Sequence, residues 1–130
     1  MESNFFVILG NQLFEPKYLT SKNCKEVFMA EDLGLCTNFK YHKSKIYLFL
    51  TAMREYNDEL KLNAIKTNYF KLDDRKDSEE YSSFLVTFLK SKKIEKIHIF
   101  EIEDKTFENI FVETLSSANI EIVIHETPLF

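Results

Sequence analysis

The sequence has few residues that break regular structure and few that cross-link it. Only two glycines and two prolines occur in 130 residues, which excludes a collagen-like, linker-rich or disordered chain. The two cysteines, Cys24 and Cys36, form no CxxC pair, so neither a zinc knuckle nor a disulfide framework is expected. Tryptophan is absent, and 13 phenylalanines and 6 tyrosines supply the aromatic part of the core. We therefore expect one compact domain with reduced thiols.

Two further absences bear on location and partners. No apolar run approaches the roughly 20 residues that span a bilayer, and residues 1–4 lack the basic segment of a signal peptide. The 17 basic and 21 acidic residues give a net charge of −4 without a basic tail, which argues against direct binding of nucleic acid. We expect a soluble cytoplasmic protein that does not bind membranes.

Apolar periodicity predicts strands that alternate with helices. Continuous apolar runs are typical of strands buried on both faces, whereas apolar positions three and four residues apart indicate amphipathic helices. The alternation implies a parallel α/β sheet with right-handed crossovers. The predicted elements are strands at 5–9, 27–30, 67–72, 94–101 and 120–124, a weak helical or irregular crossover with Pro16, a long helix over 39–62, a helix capped by Ser78, and a helix around 107–115.

The sheet type predicts where a ligand would bind, because parallel sheets bind ligands beyond the carboxyl ends of their strands. Gly10, Asn11 and Gln12 follow the first strand, Glu31 follows the second and Glu101 the fourth. A glycine there permits a tight turn, and the two amides can read the polar edge of a heterocycle. The same residues also suit a solvated strand end, so the pattern alone leaves both interpretations open.

The remaining chemistry-bearing residues form no catalytic set. His42 lies four residues before Ile46 on the buried helix stripe, where it would either face Glu31 and position a ligand or serve as a structural cap. The sequence contains no GxGxxG, P-loop, HExxH or GxSxG motif, so neither nucleotide hydrolysis nor a serine hydrolase is expected. Acidic loops with Asp73 and Asp74 leave a metal-dependent enzyme as one hypothesis.

Several segments of the chain match motifs of one known family in order and spacing. Residues 7–13, VILGNQL, resemble its opening LGDQL, and residues 29–31, MAE, resemble its strand that ends in glutamate. Residues 42–46, HKSKI, and 50–54, LTAMR, resemble the HKxKI and SAMR of its long helix. The chain is similar to the amino-terminal domain of the deoxyribodipyrimidine photolyase-related proteins, the iron–sulfur bacterial cryptochromes and (6-4) photolyases.

The resemblance implies a fold and a place in a larger protein. We expect a five-stranded parallel Rossmann-like sheet in order 3-2-1-4-5, with helices on both faces in a three-layer sandwich. Residues 1–130 would form the amino-terminal antenna domain, and the carboxyl-terminal helical domain that binds FAD, an iron–sulfur cluster and damaged DNA in the family would be absent. The chain alone would not be catalytic, although its parent would act in light-dependent DNA repair or blue-light sensing. Self-association through the apolar docking face is expected.

The resemblance also implies a ligand, the antenna chromophore 6,7-dimethyl-8-ribityllumazine. Its bicyclic ring would stack on Ile46 and Phe49, while Gln12 or Asn11 would bond its polar edge. Asn11 stands where the family has aspartate, and Leu35 where it carries an acidic residue. The residues expected at this site are Gly10, Asn11, Gln12, Glu31, Leu35, His42, Ile46, Phe49 and Glu101. The alternative is a stand-alone module that binds a nucleotide-like or pterin-like ligand, or a protein, without catalysis.

Overall fold

A computed structural model describes residues 4–9, 12–31, 43–71, 74, 81–102 and 104–127, with the side chains of residues 43–46 left out. Five strands alternate with four helices, and the strand order is β3-β2-β1-β4-β5. The predicted all-parallel, Rossmann-like α/β fold is therefore confirmed. The elements are β1 (Asn4–Val7), α1 (Pro16–Thr20), β2 (Cys24–Ala30), α2 (Lys43–Leu62), β3 (Lys66–Phe70), α3 (Tyr81–Ser91), β4 (Lys96–Phe100), α4 (Lys105–Ser117) and β5 (Glu121–His125).

The chain divides into two compact units, and the first spans Met1–Asp74. In this unit β2 pairs in parallel with β1 on one side and with β3 on the other. Helix α2 packs against β3 and buries one stripe of side chains at three- and four-residue steps, which is why this segment is helical. The stripe consists of Met53, Tyr56 and Leu60.

The second unit spans Arg75–Phe130, and in it β4 pairs in parallel with β5. Helix α3 packs against α4, and α4 packs against β5. The ring of Phe107 contacts the rings of Tyr81 and Phe111, at centroid distances of 5.9 and 5.8 Å. Asp104 caps α4, because its Oδ1 accepts hydrogen bonds from the backbone N–H groups of Thr106 and Phe107.

Each of the four helices ends in a turn that contains one residue at positive φ. Three of these turns share the Schellman pattern, in which the N–H groups of an isoleucine and the residue before it close the last turn of the helix. Ile65 donates to the carbonyl of Leu60, Ile94 to Leu89 and Ile120 to Leu115. Among the described residues, those at positive φ are Asn23, Ala64, Lys93 and Asn119.

The predicted boundaries differ from the observed ones mainly at these turns. Ile94 and Ile120 were expected at the starts of strands, but their backbone N–H groups close helix ends, so β4 and β5 begin later. Strand β2 begins at Cys24 instead of residue 27, because Asn4 pairs with Cys24 and its side chain bonds the carbonyl of Lys22. The crossover with Pro16 is a five-residue helix that has this proline in its first turn. The predicted cap at Ser78 lies outside the described residues.

No helix among the described residues combines the length and the apolar character needed to cross a membrane.

Candidate functional site

A polar cluster forms where β2 ends in the first unit. Glu31 directly follows the buried residues 27–30, and its backbone N–H donates to the carbonyl of Phe70, which continues the β2–β3 ladder by one residue. The side chain is 0% exposed. A buried carboxylate is strongly destabilising unless it is paired and hydrogen-bonded, so its partners define the cluster.

Two side chains from neighbouring elements among the described residues bind the Glu31 carboxylate. Arg54 of α2 donates from Nε to Oε2 at 2.7 Å and from Nη2 to Oε1 at 3.1 Å. Tyr69 of β3 donates from its hydroxyl to Oε2 at 2.5 Å. The bidentate pairing fixes the plane of the carboxylate as well as its position. We call Glu31, Arg54 and Tyr69 the Glu31 cluster.

Local geometry explains why these three residues meet. Tyr69 pairs with Met29 in the β2–β3 register, and Glu31 lies two residues after Met29, so both polar side chains are on the same face of the sheet. Arg54 follows the buried Met53 on α2, the helix that packs against β3. Its side chain is 51% exposed. The Glu31 cluster therefore runs from the protein interior to the surface.

The electrostatics of the cluster keep one positive and one negative charge together. The hydrogen bonds and the charge of Glu31 raise the pKa of the Arg54 guanidinium. Burial, and then the hydrogen bond to Glu31, raises the pKa of the Tyr69 hydroxyl, which stays protonated at neutral pH. The two hydrogen bonds to Glu31 come from Nε and Nη2 of Arg54, whose side chain is half-exposed. The cluster thus offers a guanidinium donor at the surface, fixed by a buried carboxylate.

Gln12 is the second predicted site residue that the structure describes in this unit. It follows β1, and its backbone N–H donates to the carbonyl of Leu9 at 2.9 Å. Its side chain is buried at 6% exposure. Because β1 and β2 are parallel neighbours, Gln12 and Glu31 follow strands that end at the same edge of the sheet. In parallel sheets this edge is where ligands bind, and binding at Gln12 and Glu31 stays a prediction.

The other predicted site residues are only partly accounted for. Phe49 is half-buried on α2, one turn before Met53. Glu101 belongs to the second unit, where it is exposed and its Oε1 accepts a hydrogen bond from the backbone N–H of Thr127 at 3.1 Å. Ile46 lies in α2, but its side chain is not among those described. Gly10, Asn11, Leu35 and His42 lie outside the described residues.

The acidic loops show no metal site in the part of the chain that the structure describes. No group of three or more histidine, cysteine, aspartate or glutamate residues converges there. Asp74 instead accepts a hydrogen bond from the backbone N–H of Lys71 at 2.7 Å, and Asp73 lies outside the described residues. Burial raises the pKa of the Cys24 thiol to about 11, so this cysteine is neither a good nucleophile nor a good metal ligand.

Sequence reasoning missed three contributors to polar clusters. Arg54 was considered only as the last residue of the motif LTAMR. Its position next to the buried Met53 indicates a side chain at the edge of the hydrophobic core. Tyr69 was assigned to a strand without a role. His98 was also missed, and in the second unit its Nδ1 lies 2.8 Å from Nε2 of His125. This distance means that the two rings meet edge to edge through one N–H···N hydrogen bond.

The fold and the position of the Glu31 cluster define a class of protein, a parallel α/β domain with polar residues where its strands end. The family model for deoxyribodipyrimidine photo-lyase-related proteins matches residues 6–130. The chain therefore belongs to this family, as the motif resemblance predicted. A search of curated proteins found no match.

Proposed function

We propose that the chain is the amino-terminal domain of a photolyase-related protein of the iron–sulfur cryptochrome or (6-4) photolyase type, and that it binds 6,7-dimethyl-8-ribityllumazine as an antenna chromophore. The observation that carries the proposal is the Glu31 cluster, a buried carboxylate fixed by two side chains at the end of β2. The family match supports the choice of ligand class.

The chemistry of the cluster suits one edge of a flat heterocycle. The lumazine ring carries carbonyl oxygens and ring nitrogens, which accept hydrogen bonds from a guanidinium or an amide. Arg54 supplies a fixed donor, and Gln12 supplies an amide from the end of the neighbouring strand. Phe49, half-buried on the same helix as Arg54, provides an apolar surface for the ring face. An antenna only absorbs and transfers excitation, so this site requires no catalytic acid or base.

The role of the domain follows from this ligand. We propose that the parent protein binds FAD, an iron–sulfur cluster and damaged DNA in a further, helical domain, and that the present domain docks on it and passes excitation to the flavin. The parent would act in light-dependent DNA repair or blue-light sensing, in a bacterial cytoplasm. The domain by itself would be a binding module without catalytic activity.

A titration of the purified chain with the lumazine tests the antenna role. Binding should red-shift or sharpen the absorption band of the chromophore and raise its fluorescence anisotropy. Replacing Gln12 with leucine or Phe49 with alanine should weaken binding about tenfold each, the equivalent of one hydrogen bond or one ring contact. Leu48→Ala is the matched control, because Leu48 precedes Phe49 on α2 and is largely exposed.

The outcomes separate the proposal from its alternative. If the folded chain leaves the lumazine spectrum and anisotropy unchanged at every concentration, the antenna role is wrong. If riboflavin, a pterin or a nucleotide binds instead and Gln12→Leu abolishes that binding, the chain is a module for another small ligand. If the Leu48 variant weakens lumazine binding as much as the Phe49 variant, the ring does not bind where we propose.

A further inference from the structure

Within the part of the chain that the structure describes, strand β5 is an edge strand without the usual protection. It is last in the strand order and pairs with β4. Its sequence, EIVIH, contains no lysine and no proline, and its register with β4 is regular. Natural edge strands commonly carry such residues or a bulge, because unpaired backbone groups otherwise bind another strand. At the opposite edge, β3 begins with the exposed Lys66, so the two edges differ.

Two hydrogen bonds show to which side the backbone N–H and C=O groups of β5 point. The N–H of Glu121 donates to the carbonyl of Glu95 at 2.8 Å, and the carbonyl of His125 accepts from the N–H of Glu101 at 3.0 Å. Along a strand in a parallel ladder, alternate residues point their N–H and C=O groups to the same side. The backbone groups of Ile122 and Ile124 therefore point away from β4.

We propose that β5 pairs with β5 of a second copy of this chain, in an antiparallel arrangement with its two-fold axis at Val123. In this register Ile122 of each copy lies opposite Ile124 of the other copy, which gives two such pairs. Each of these two pairs is of the hydrogen-bonded kind, which exchanges both N–H···O bonds. The pairing therefore uses all four outward backbone groups on each copy and forms four hydrogen bonds.

The side chains of β5 are complementary to themselves in this register. The isoleucines from both copies share one face, and Ile124 is 50% exposed in the single chain. On the other face Glu121 lies opposite His125 of the second copy, so no like charges face each other. Any other register that keeps the strands antiparallel shortens the pairing or places Glu121 opposite an apolar residue. These features favour a second copy over an unrelated strand as the occupant.

The expected dimer is weak. One five-residue strand from each copy buries well below the roughly 1,200 Å² of a standard stable interface. The net charge of −4 on each copy adds a long-range repulsion. The dimer should therefore appear only as the protein concentration rises. This inference does not depend on the proposed chromophore, since β5 lies in the second unit and the Glu31 cluster in the first.

Light scattering over a concentration series, coupled to size exclusion, tests the dimer. The native chain should shift from monomer to dimer, and Ile124→Lys should remain monomeric. Ile124→Pro removes an outward N–H and no bond to β4, so it should also remain monomeric while its circular dichroism stays native. Ile124→Val keeps both the donor and the apolar side chain and should still dimerise. A native chain that stays monomeric throughout the series overturns the proposal.

A cysteine at the two-fold axis tests the register. Val123 faces itself in a non-hydrogen-bonded pair, where Cα atoms lie about 4.5 Å apart, within the range of a disulfide. In a Cys36→Ser background, Val123→Cys should give a covalent dimer on mild oxidation, and Thr114→Cys on α4 should not. Equal cross-linking of the two variants contradicts the register. If Leu48→Ser abolishes the dimer and Ile124→Lys does not, the interface lies on α2 and the proposal is wrong.

Discussion

The turns that lead into the strands and the residues at the strand ends are held together by different interactions. Schellman turns lead into β3, β4 and β5, and in each an isoleucine N–H donates a backbone hydrogen bond to the carbonyl of a leucine five residues earlier. Side chains make the contacts in the Glu31 cluster at the end of β2, and also between His98 in the middle of β4 and His125 at the end of β5. Backbone turns accept many side chains, whereas a polar cluster depends on each of its members. Strand ends are also where parallel sheets commonly bind their ligands.

The largest expected effect comes from breaking the Glu31 cluster. Replacing Arg54 with methionine removes a bidentate positive partner from a buried carboxylate, and breaking a buried ion pair in this way typically costs 3–5 kcal/mol. We expect a loss of about 3 kcal/mol in the free energy of unfolding, because the half-exposed position of Arg54 lets water reach the carboxylate. Urea unfolding at neutral pH, followed by circular dichroism, measures this loss. The free energy of unfolding of Arg54→Lys should fall between those of the native chain and of Arg54→Met, because lysine keeps the charge but not the bidentate geometry.

Two controls show whether charge causes that loss. Glu55→Met changes the next residue of the same helix, which is exposed, and should shift the free energy of unfolding by less than about 0.5 kcal/mol. Adding Glu31→Gln to the Arg54→Met variant removes the unpaired charge and should restore part of the stability. If the double variant is no more stable than Arg54→Met alone, lost packing and not an unpaired charge explains the effect.

The fold was predictable because the apolar pattern is strong. Buried runs such as residues 27–30 and the stripe of α2 can be read without knowledge of the rest of the chain. The strand starts were not predictable, because Ile94 and Ile120 look like strand residues. Their role in helix-end turns depends on backbone bonds to residues five positions earlier, and a local hydropathy pattern does not contain that information.

The position of the candidate site could be predicted from the sequence, but the residues that contact Glu31 there could not. Glu31 was expected because it follows a buried strand in a parallel sheet. Arg54 and Tyr69 are 23 and 38 residues away from Glu31 in the chain, and only the packing of α2 and the register of β3 bring them to the carboxylate. The partner of His98 is likewise set by the β4–β5 register. Contacts of this range require the fold before they can be assigned.

The turns should respond to substitution in the opposite direction from the Glu31 cluster. Ala64 has φ 60, a conformation that costs residues with a Cβ roughly 1–2 kcal/mol. Ala64→Gly should raise the free energy of unfolding by about 0.5–1 kcal/mol, after the greater flexibility of glycine in the unfolded chain is counted. Lys93→Gly should give a similar gain, and Asn119→Gly a smaller one, because asparagine tolerates this region well.

A neighbouring glycine variant is the control for that gain. Lys92 precedes Lys93 and is not among the residues at positive φ, so Lys92→Gly adds flexibility without relieving strain and should reduce stability. The comparison uses the same urea unfolding measurement. If Ala64→Gly and Lys92→Gly change stability in the same direction, relief of backbone strain is not the cause.

The smallest effect concerns pH and the pair of His98 and His125. Burial, and then the nearby His125 and Lys96, lowers the pKa of His98 below its ordinary value of 6.5, while Glu121 acts in the opposite direction. Below about pH 6.5 the unfolded chain therefore binds a proton that the folded chain binds less readily, and the free energy of unfolding falls as the pH is lowered through this window. His98→Asn should flatten that dependence.

The pH series also separates the pair of His98 and His125 from the turns. The stability gained in Ala64→Gly should be the same at neutral pH and at about pH 5.5, because no titrating group takes part in that turn. The difference between native and His98→Asn should instead shrink on acidification, since the native chain loses stability that the variant no longer has. An unchanged slope in the His98 variant would mean that other groups set the acid sensitivity. The hydrogen bond between His98 and His125 would then link the middle of β4 to the last residue of β5 without setting the pH dependence of stability.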